Sequence, residues 1–352
     1  MNMHSKPSRL ILVSGSWPPV ICGVGDFMNL MWKELAQSGY APERLTLRPG
    51  NLNVSLRALA ASFGRNRLIY ISYPTEGYGK SLLPFLLAFG DHRNVVMHIH
   101  EYSSKNRYCR FLLRRFQRMD RLFFSNREDY QNYVSDCRLS SNSPKVAGWS
   151  VTPTPSNIPL TAIEGMRSTT RVKIVHFGQI RPNKGLEELV KVMGSLQDIS
   201  AERLVIGGIP KGYEVYATEI SRLFSHVGVK VRFNLTSEQI SQELASAHVG
   251  AFAFPDGADE RRGSLIAAMA HGVLCVTTHS GRTPQPLKDA TIGIPIVGVS
   301  TAEAMVGALR RAVAEVNIES NRLKVELSRQ IGSKASFRGI AEQLMRLRTT
   351  KL

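Results

Sequence analysis

The sequence has 352 residues, of which 43% are hydrophobic and 21% charged, a composition typical of folded globular proteins and not of disordered chains. Lysine and arginine total 45 against 28 aspartate and glutamate residues, so the formal net charge is +17. The length predicts two domains. The charge predicts a polyanionic partner, such as a nucleic acid, an anionic membrane surface or a phosphorylated ligand, without choosing among them.

Apolar runs and cysteines restrict the class of protein further. No apolar run approaches the roughly 18 residues that a membrane-spanning helix needs. The first apolar run, Leu10 to Val13, is too short for a signal peptide. The four cysteines lie far apart and form no CxxC pair, which indicates reduced thiols and no metal site. We therefore expect a cytoplasmic protein.

The first half of the chain alternates short apolar runs with helical patterns. The predicted strands are RLILVSGS at the start, RLIYISY (67–73), NVVMHIH (94–100) and DRLFFSN (120–126). Strands that alternate with helical stretches predict a parallel sheet covered on both faces. Residues 150–170 are rich in Pro, Ser and Thr, which is typical of a linker.

After this linker the same alternation begins again. The predicted strands of the second half are RVKIVHFG, RLVIGG, VKVRFN, VGAFAFP and VLCVTT. Two successive βα arrays predict two Rossmann-like domains. The predicted boundaries are an N-terminal Rossmann-like domain over 1–155, a linker over 156–170, a C-terminal Rossmann-like domain over 171–332 and a basic helix over 333–352 that could pack on either domain.

The loops that follow the strands are the expected sites, because open α/β sheets bind ligands beyond the carboxyl ends of their strands. In SGSWPPVICGVGDF, Gly23 and Gly25 precede a predicted helix and allow close approach of a phosphate, although packing glycines in a plain turn are an alternative. In HFGQIRPNKG, Arg181 and Lys184 flank a helix start at Pro182. Two cations there suit a diphosphate, and solvated surface cations are the alternative.

The third loop, FAFPDGADERRGSLIAAMAHG, combines carboxylates with a helix start. Asp259 and Glu260 are candidates for holding sugar hydroxyls. The amides of Gly263, Ser264 and Leu265 are candidates for binding a phosphate. The alternative is an exposed polar turn capped by Ser264.

Taken together, the three loops resemble the retaining glycosyltransferases of family 4. PPVICGVGDF is similar to the PPxxGGVG stretch that opens those enzymes, and GQIRPNKGLEEL resembles their G-R-x-x-x-K-G-x-x-x-L signature. PDGADERRGSLIAAMAHGVLCVTT resembles their E-x7-E region. The order and spacing of these motifs fit across nearly the whole chain. The resemblance implies the α/β GT-B fold, with two Rossmann-like domains facing across a cleft.

The resemblance also implies an activity. A nucleotide sugar would be the donor substrate, no cofactor would be needed, and the sugar would pass with retention of configuration to a glycan or lipid-linked acceptor. Bacterial surface polysaccharide or glycolipid synthesis is the implied setting. The leaving diphosphate would help to accept the acceptor's proton, so the protein would mainly position the substrates and stabilise the departing phosphate. No DxD cluster is present, so no metal is expected.

Residue roles follow from the same resemblance. Gly23 and Gly25 would adjoin the donor phosphates, Arg181 and Lys184 would grip the diphosphate, and residues 263–265 would supply amides to it. Asp259 falls where the family has its first Glu, and it or Glu260 would hold the donor sugar.

The resemblance also bears on His100 and on Ala267. His100 matches a family histidine near the donor sugar and is the candidate catalytic residue, with a structural histidine as the alternative. His98 is expected to point to the opposite face of its strand. The sequence departs from the family at Ala267, which stands where the second Glu contacts the ribose.

Two further segments bear on the acceptor and on partners. SYPTEGYGKS is not a P-loop, because Pro74 occupies the place of its first glycine, and we expect Tyr73, Glu76 and Tyr78 to contact the acceptor. Residues 105–121 read as a basic amphipathic helix, with Arg107, Arg114 and Arg121 recurring at seven.

Such a helix suits anionic headgroups on the inner face of the cytoplasmic membrane, and a solvated outer face is the alternative. No recognisable nucleic-acid module is present, so nucleic acid is not an expected partner. The rival functions are a nucleotide-sugar epimerase of the same fold and a basic nucleic-acid-binding protein. A phosphorylase would need a much longer chain.

Overall fold

A computed structural model describes residues 9–18, 23–47, 67–78, 95–140, 142–160, 171–296, 298 and 300–349. The chain divides into two compact units: unit 1 is Met1–Thr154 with Phe337–Leu352, and unit 2 is Pro155–Ser336. The division falls just before the predicted linker, of which residues 161–170 lie outside the described residues.

Each unit is built on one six-stranded sheet. The described strands are β1 (Arg9–Ser14), β2 (Pro42–Thr46), β3 (Arg67–Tyr73), β4 (Val95–Ile99), β5 (Leu122–Phe124), β6 (Trp149–Val151), β7 (Val172–Gln179), β8 (Ala201–Gly208), β9 (Lys230–Phe233), β10 (Val249–Phe252), β11 (Leu274–His279) and β12 (Ile292–Pro295). The order is β2-β1-β3-β4-β5-β6 in unit 1 and β12-β11-β10-β7-β8-β9 in unit 2.

Helices follow most of the strands. The described helices are α1 (Gly23–Gln37), α2 (Arg107–Leu113), α3 (Arg127–Asp136), α4 (Leu186–Gly194), α5 (Glu214–His226), α6 (Ser237–Ala245), α7 (Gly263–Ala270), α8 (Gln285–Ala290), α9 (Ser300–Ala314), α10 (Glu319–Lys334) and α11 (Phe337–Thr349). Short 3-10 helices occupy Glu76–Tyr78, Arg114–Arg118 and Pro144–Val146. No helix among these residues combines the length and apolar character needed to cross a membrane.

Every paired strand runs parallel to its neighbours. The central strands are buried on both faces, as β4 shows with all five of its residues buried. A parallel sheet covered on both sides needs such continuous apolar runs, which is why the sequence shows runs and not alternation. The predicted architecture of two Rossmann-like sheets with flanking helices is confirmed.

The last helix belongs to unit 1. Ile340 and Leu344 of α11 join Met28 and Met31 of α1 in one buried apolar cluster. The structure begins α11 at Phe337, because residues 333 and 334, which we assigned to the last helix, still form the end of α10.

The loop between β7 and α4 depends on a glycine. Gly185 has φ +74°, and a Cβ added there would stand 1.7 Å from the carbonyl oxygen of Ala253. Helix α4 therefore begins at Leu186, after Gly185 as its N-cap, and not at Pro182 as the sequence indicated. The residues between β7 and Gly185 form a turn that holds Lys184 beside the end of β10.

We expect Gly185→Ala to lower the melting temperature of unit 2 by at least about 6 °C. The left-handed conformation costs a non-glycine residue roughly 1–2 kcal/mol, and the clash with backbone adds to it. Each kcal/mol shifts a domain of this size by about 2–4 °C. Scanning calorimetry of Gly185→Ala and Gly212→Ala measures both effects, because Gly212 has φ +88° but open space around it. Equal shifts in the two variants would contradict the close approach.

Candidate functional site

A cavity of about 530 Å³ lies at the carboxyl edge of the sheet in unit 2. Its wall comes from the ends of β7 and β8, the starts of α6 and α7, and residues 157 and 158. This short segment is anchored to the unit by Ser241, whose hydroxyl donates to the carbonyl oxygen of Pro159 at 2.6 Å. The position is the one where open α/β sheets bind ligands.

Lys184 is the predicted phosphate ligand that the structure places in this cavity wall. Burial, and then the positive charges of Arg181 and Arg262, lower the pKa of its ammonium group, although Asp256 and Asp259 act in the opposite direction. Within the described ranges, no carboxylate lies within ion-pair distance of Lys184. A bound anion would supply the counter-charge that this ammonium group lacks.

Arg181 lies outside the cavity wall, and Gln179 lies in it. The Nε of Arg181 donates to Oε1 of Gln179 at 3.1 Å. Gln179 directly follows Gly178, the place of the arginine in the G-R signature that this loop resembles.

Two arginines that the sequence analysis left without a role also line the cavity. Arg261 and Arg262 precede α7, and both are tied to acidic side chains. The guanidinium of Arg262 lies 4.6 Å from the ring centroid of Phe254 and pairs with Asp256. Because aromatic and acidic neighbours hold this group, it is fixed in place before any ligand binds.

Asp259 organises this arginine pair. Its Oδ1 accepts the backbone N–H of Arg261 at 2.9 Å, and its Oδ2 accepts from the Arg261 guanidinium at 2.7 Å. Burial alone would raise the pKa of the Asp259 carboxyl, but the bonds and charges of Arg261 and Arg262 outweigh it, so the pKa lies below its ordinary value. Both oxygens are engaged within the chain, and neither Asp259 nor Glu260 forms part of the cavity wall.

The N-terminus of helix α7 lies at the cavity. Gly263 and Ser264 line the wall, whereas the Leu265 side chain is fully buried. The N-cap residue is Arg262 and not Ser264, and it makes no side-chain capping bond, so the first turn retains free donor capacity. The Gly263 amide is already used, because it donates to the carbonyl oxygen of Arg261 at 2.9 Å.

Ala267, where the sequence departs from the family's second Glu, lies in the apolar core of unit 2. Its side chain is fully buried in the apolar cluster beneath α7, together with Phe254 and Leu265. A glutamate at this position would be buried among apolar groups, so a ribose contact from this place in the chain is absent here.

The glycines of the first loop lie in a helix. Gly23 and Gly25 form the first turn of α1, and not the loop before it. Residues 19–22, which complete the resemblance in this loop, lie outside the described residues. Helix α1 is the first described element after β1 in the chain.

His100 is buried, with 7% of its surface exposed, just after the last residue of β4. Its Nδ1 lies 2.7 Å from the Ser125 hydroxyl, and its Nε2 lies 3.1 Å from the Ser72 hydroxyl. Burial lowers the pKa of its imidazole to about 3, so the ring is neutral at physiological pH. Both ring nitrogens are thus occupied by the protein itself.

The prediction that His98 points to the opposite face is wrong. Residues two apart on a strand share a face, and the rings of His98 and His100 stack with centroids 4.1 Å apart. His98 bonds to the Tyr70 hydroxyl at 2.6 Å and to the Ser125 hydroxyl at 3.1 Å. A chain of hydrogen bonds therefore links the two buried histidines.

The predicted acceptor residues occupy different environments. Tyr73 is half-buried and stacks on Tyr78 with ring centroids 5.9 Å apart. Tyr78 is 1% exposed and belongs to the apolar core of unit 1. Glu76 begins the short 3-10 helix, and its side chain lies outside the described part of the structure. Only Tyr73 of these three is shown with a partly exposed side chain.

The basic segment is not one continuous helix. Helix α2 ends at Leu113, a 3-10 helix follows, and Arg121 is buried just before β5. The spacing of seven therefore does not produce one arginine face. Arg114 is turned inward and donates to the carbonyl oxygen of Asp136 at 3.1 Å.

A smaller exposed group remains on this segment, which we call the basic aromatic patch. Tyr108 and Phe111 are 65% and 47% exposed. The exposed Arg107, Arg115 and Arg118 surround them, and the Arg115 guanidinium lies 5.5 Å from the Phe111 ring centroid.

Cys109, Cys137 and Cys275 are free thiols, and Cys22 falls outside the described residues. Burial raises the pKa of the Cys137 thiol to about 11. In the part of the chain that the structure describes, no three His, Cys, Asp or Glu side chains gather to hold a metal ion.

Comparisons with known proteins agree with this geometry. Residues 171–315, within unit 2, match the family described as "Glycosyl transferases group 1". A glycosyltransferase from Rickettsia africae is 12% identical, with 97% of this chain and 99% of that chain covered and a TM-score of 0.69. HepE from Anabaena, solved in complex with UDP, is 16% identical over 97% of this chain and 100% of its own, with a TM-score of 0.67.

A third similar structure is the sucrose-phosphate synthase of Thermosynechococcus elongatus, at 15% identity, 97% and 98% coverage and a TM-score of 0.64. No curated protein matches the chain. The structural likeness confirms the predicted GT-B fold. The family match lies on the unit that carries the cavity and supports a nucleotide-sugar glycosyltransferase.

The buried histidines predict a pH dependence for unit 1. The pKa of His100 in the folded protein, about 3, lies below its ordinary value of 6.5. Between these two pH values the unfolded chain binds a proton at this residue and the folded chain does not. Stability is therefore full above pH 6.5 and falls as the pH drops towards 3, by about 2 kcal/mol at pH 5 for this one group.

Melting temperatures between pH 7.5 and 5 measure this slope. His100→Gln keeps hydrogen-bonding capacity, does not titrate and should show a shallower decline. His226→Gln, at an exposed position, is the control. A His100→Gln slope equal to that of the wild type would contradict a neutral, buried His100.

Proposed function

We propose that this chain is a retaining glycosyltransferase of family 4. It would transfer a sugar from a nucleotide-sugar donor to a glycan or lipid-linked acceptor, in bacterial surface polysaccharide or glycolipid synthesis. The observation that carries the proposal is the convergence of Lys184, Arg262 and the start of α7 on one cavity of unit 2. A group of cations at a helix N-terminus is a site for a diphosphate.

The cavity residues offer different kinds of interaction to a diphosphate. Lys184 offers a point charge, and Arg262 offers a planar fork of donors held by Asp256 and Phe254. The first turn of α7 adds partial positive charge at the same place. Because Arg262 and the start of α7 are held in place in the free protein, they would stabilise charge that develops on the leaving diphosphate with little rearrangement.

Asp259 has a different role in this proposal from the one the resemblance implies. Its oxygens hold Arg261, so the carboxylate positions the arginines and does not hold the donor sugar. Gln179 takes the wall position beside Lys184, and Arg181 supports it from outside. The diphosphate would then be bound by Lys184 and Arg262 more than by Arg181.

Retention is part of the proposal. No carboxylate of the cavity wall is placed as a nucleophile among the described residues, which suits attack on the same face with the leaving phosphate accepting the acceptor's proton. His100, the candidate catalytic residue of the resemblance, would act by holding the hydroxyls of Ser72 and Ser125 in place, because both of its ring nitrogens bond to them. Its low pKa argues against a role as a general base.

On the acceptor side, the basic aromatic patch supports docking on an anionic membrane surface. Exposed aromatic rings beside arginines suit the interface between headgroups and acyl chains. A lipid-linked acceptor would be found at such a surface. The inner face of the cytoplasmic membrane is the proposed location, and Tyr73 is the partly exposed candidate for contact with the acceptor.

We expect Lys184→Ala to weaken nucleoside diphosphate binding by about 1.5–3 kcal/mol, the range for a charge-assisted bond. Arg181→Ala should weaken it less, since Arg181 lies outside the cavity wall. Calorimetric titration with UDP, GDP and ADP, followed by the matching nucleotide sugars, identifies the donor and measures both variants. Lys211→Ala, at an exposed position, is the control.

Unchanged affinity in Lys184→Ala would remove the assignment of the cavity to phosphate. Consumption of a nucleotide sugar with no acceptor present would favour the epimerase instead. The anomeric configuration of the product, read by NMR, tests retention separately.

We also expect the protein to co-sediment with phosphatidylglycerol vesicles at low salt and to dissociate as salt rises. Each engaged arginine contributes roughly 1 kcal/mol at an anionic surface. The triple change of Arg107, Arg115 and Arg118 to Glu should abolish sedimentation. The matched control changes Lys211, Arg222 and Arg322 to Glu, three exposed cations on unit 2.

Equal loss in both triple variants would assign the binding to net charge and not to the patch. Salt-sensitive binding to duplex DNA, with none to vesicles, would favour the nucleic-acid-binding alternative.

A further inference from the structure

His176 is a second histidine of interest, and it lies in the wall of the unit 2 cavity. It stands near the end of β7, and only 3% of its surface is exposed. Its Nδ1 lies 2.8 Å from the carbonyl oxygen of Ala251 on β10. Its Nε2 is buried and has no hydrogen-bond partner among the described residues.

The bond to Ala251 fixes which nitrogen carries the proton. A carbonyl oxygen can only accept, so Nδ1 donates and Nε2 of the neutral ring presents a lone pair. Burial lowers the pKa of this imidazole to about 4, and the charged side chains of the cavity wall, Lys184, Arg261 and Arg262, are all cations. The ring is therefore a neutral acceptor at physiological pH.

The glycine two residues along places no side chain against this nitrogen. A Cβ added to Gly178 would stand 3.2 Å from Nε2 of His176, so any side chain there would lie over it. Gly178 lines the same cavity. A buried acceptor without a partner is unfavourable, and a ligand that donates a hydrogen bond to it removes this cost.

The chemistry of a nucleotide sugar limits which of its groups can bond to Nε2 of His176. Phosphate oxygens of a nucleoside diphosphate accept hydrogen bonds, as does Nε2, so the phosphates themselves cannot satisfy this nitrogen. The groups next to the diphosphate that carry a donor are the hydroxyls of the ribose on one side and of the transferred sugar on the other.

We propose that His176 is a specificity-determining residue whose Nε2 accepts a hydrogen bond from a hydroxyl of the nucleotide-sugar donor. The inference rests on the proposed function, since it needs a nucleotide in this cavity. The contact would replace, from β7, a hydroxyl contact that the buried Ala267 cannot make from α7.

Two variants separate the two nitrogens. His176→Asn places an amide near Nδ1, so it can keep the bond to Ala251 while it removes the acceptor at Nε2. His176→Gln reaches further and returns an acceptor to the position of Nε2. Melting temperatures of both variants check that unit 2 is folded.

The experiment is a calorimetric titration of the wild type and of both variants with each of a set of ligands. The ligands are built on UDP or GDP, whichever the wild type binds. The ligands are the diphosphate, its 2′-deoxy and 3′-deoxy forms, and the intact nucleotide sugar. In the wild type, loss of the correct hydroxyl should weaken binding about tenfold, which corresponds to about 1.4 kcal/mol. In His176→Asn the same loss should change nothing, and His176→Gln should restore most of the difference.

The deoxy diphosphates and the intact nucleotide sugar distinguish the two sources of the hydroxyl, the ribose and the transferred sugar. Coupling seen with a deoxy diphosphate assigns it to the ribose. If the intact nucleotide sugar alone loses affinity in His176→Asn, the hydroxyl belongs to the transferred sugar. A folded His176→Asn that binds every ligand as the wild type does would overturn the inference. Failure of the wild type to bind any nucleotide would instead overturn the proposed function.

Discussion

The parallel pairing of every strand is the constraint on which the rest of this structure depends. In a parallel sheet all strands end at the same edge, so every loop from a strand to the following helix meets there. Both faces are covered by helices, which leaves this edge as the place where polar groups and helix N-termini can gather. In unit 2 it collects the turn after β7, the end of β8 and the residues before α7 around one cavity.

The cations at this edge of unit 2 differ in whether a carboxylate pairs with them. Asp259 and Asp256 hold Arg261 and Arg262 through ion pairs, but Lys184 stands in the wall with no carboxylate in ion-pair range among the described residues. The carboxylates therefore act as scaffolding for the arginines, while the lysine keeps its charge available for a ligand. An anion that enters the cavity meets donors whose positions are already set, so little conformational freedom is lost when it binds.

The general plan of this molecule could be predicted from its sequence, because buried parallel strands and the loops between them leave a clear pattern. That pattern located the turn with Lys184 and the start of α7. It could not separate Arg181 from Gln179, because which side chain enters a cavity depends on the path of the turn fixed by Gly185. Arg121 shows the same limit, since the break after Leu113 that turns it inward has no signal in the spacing of the arginines.

The return of the chain to unit 1 has a consequence for synthesis. Helix α11 covers Met28 and Met31 of α1, yet it follows every strand and helix of unit 2 in the sequence. A chain that emerges from the ribosome can complete the interior of unit 2 before α11 is available. Unit 1, although it is made first, keeps an apolar face of α1 open to water until the last helix arrives. The core of unit 1 is therefore complete only after the whole of unit 2 has been synthesised, although most of unit 1 is made first.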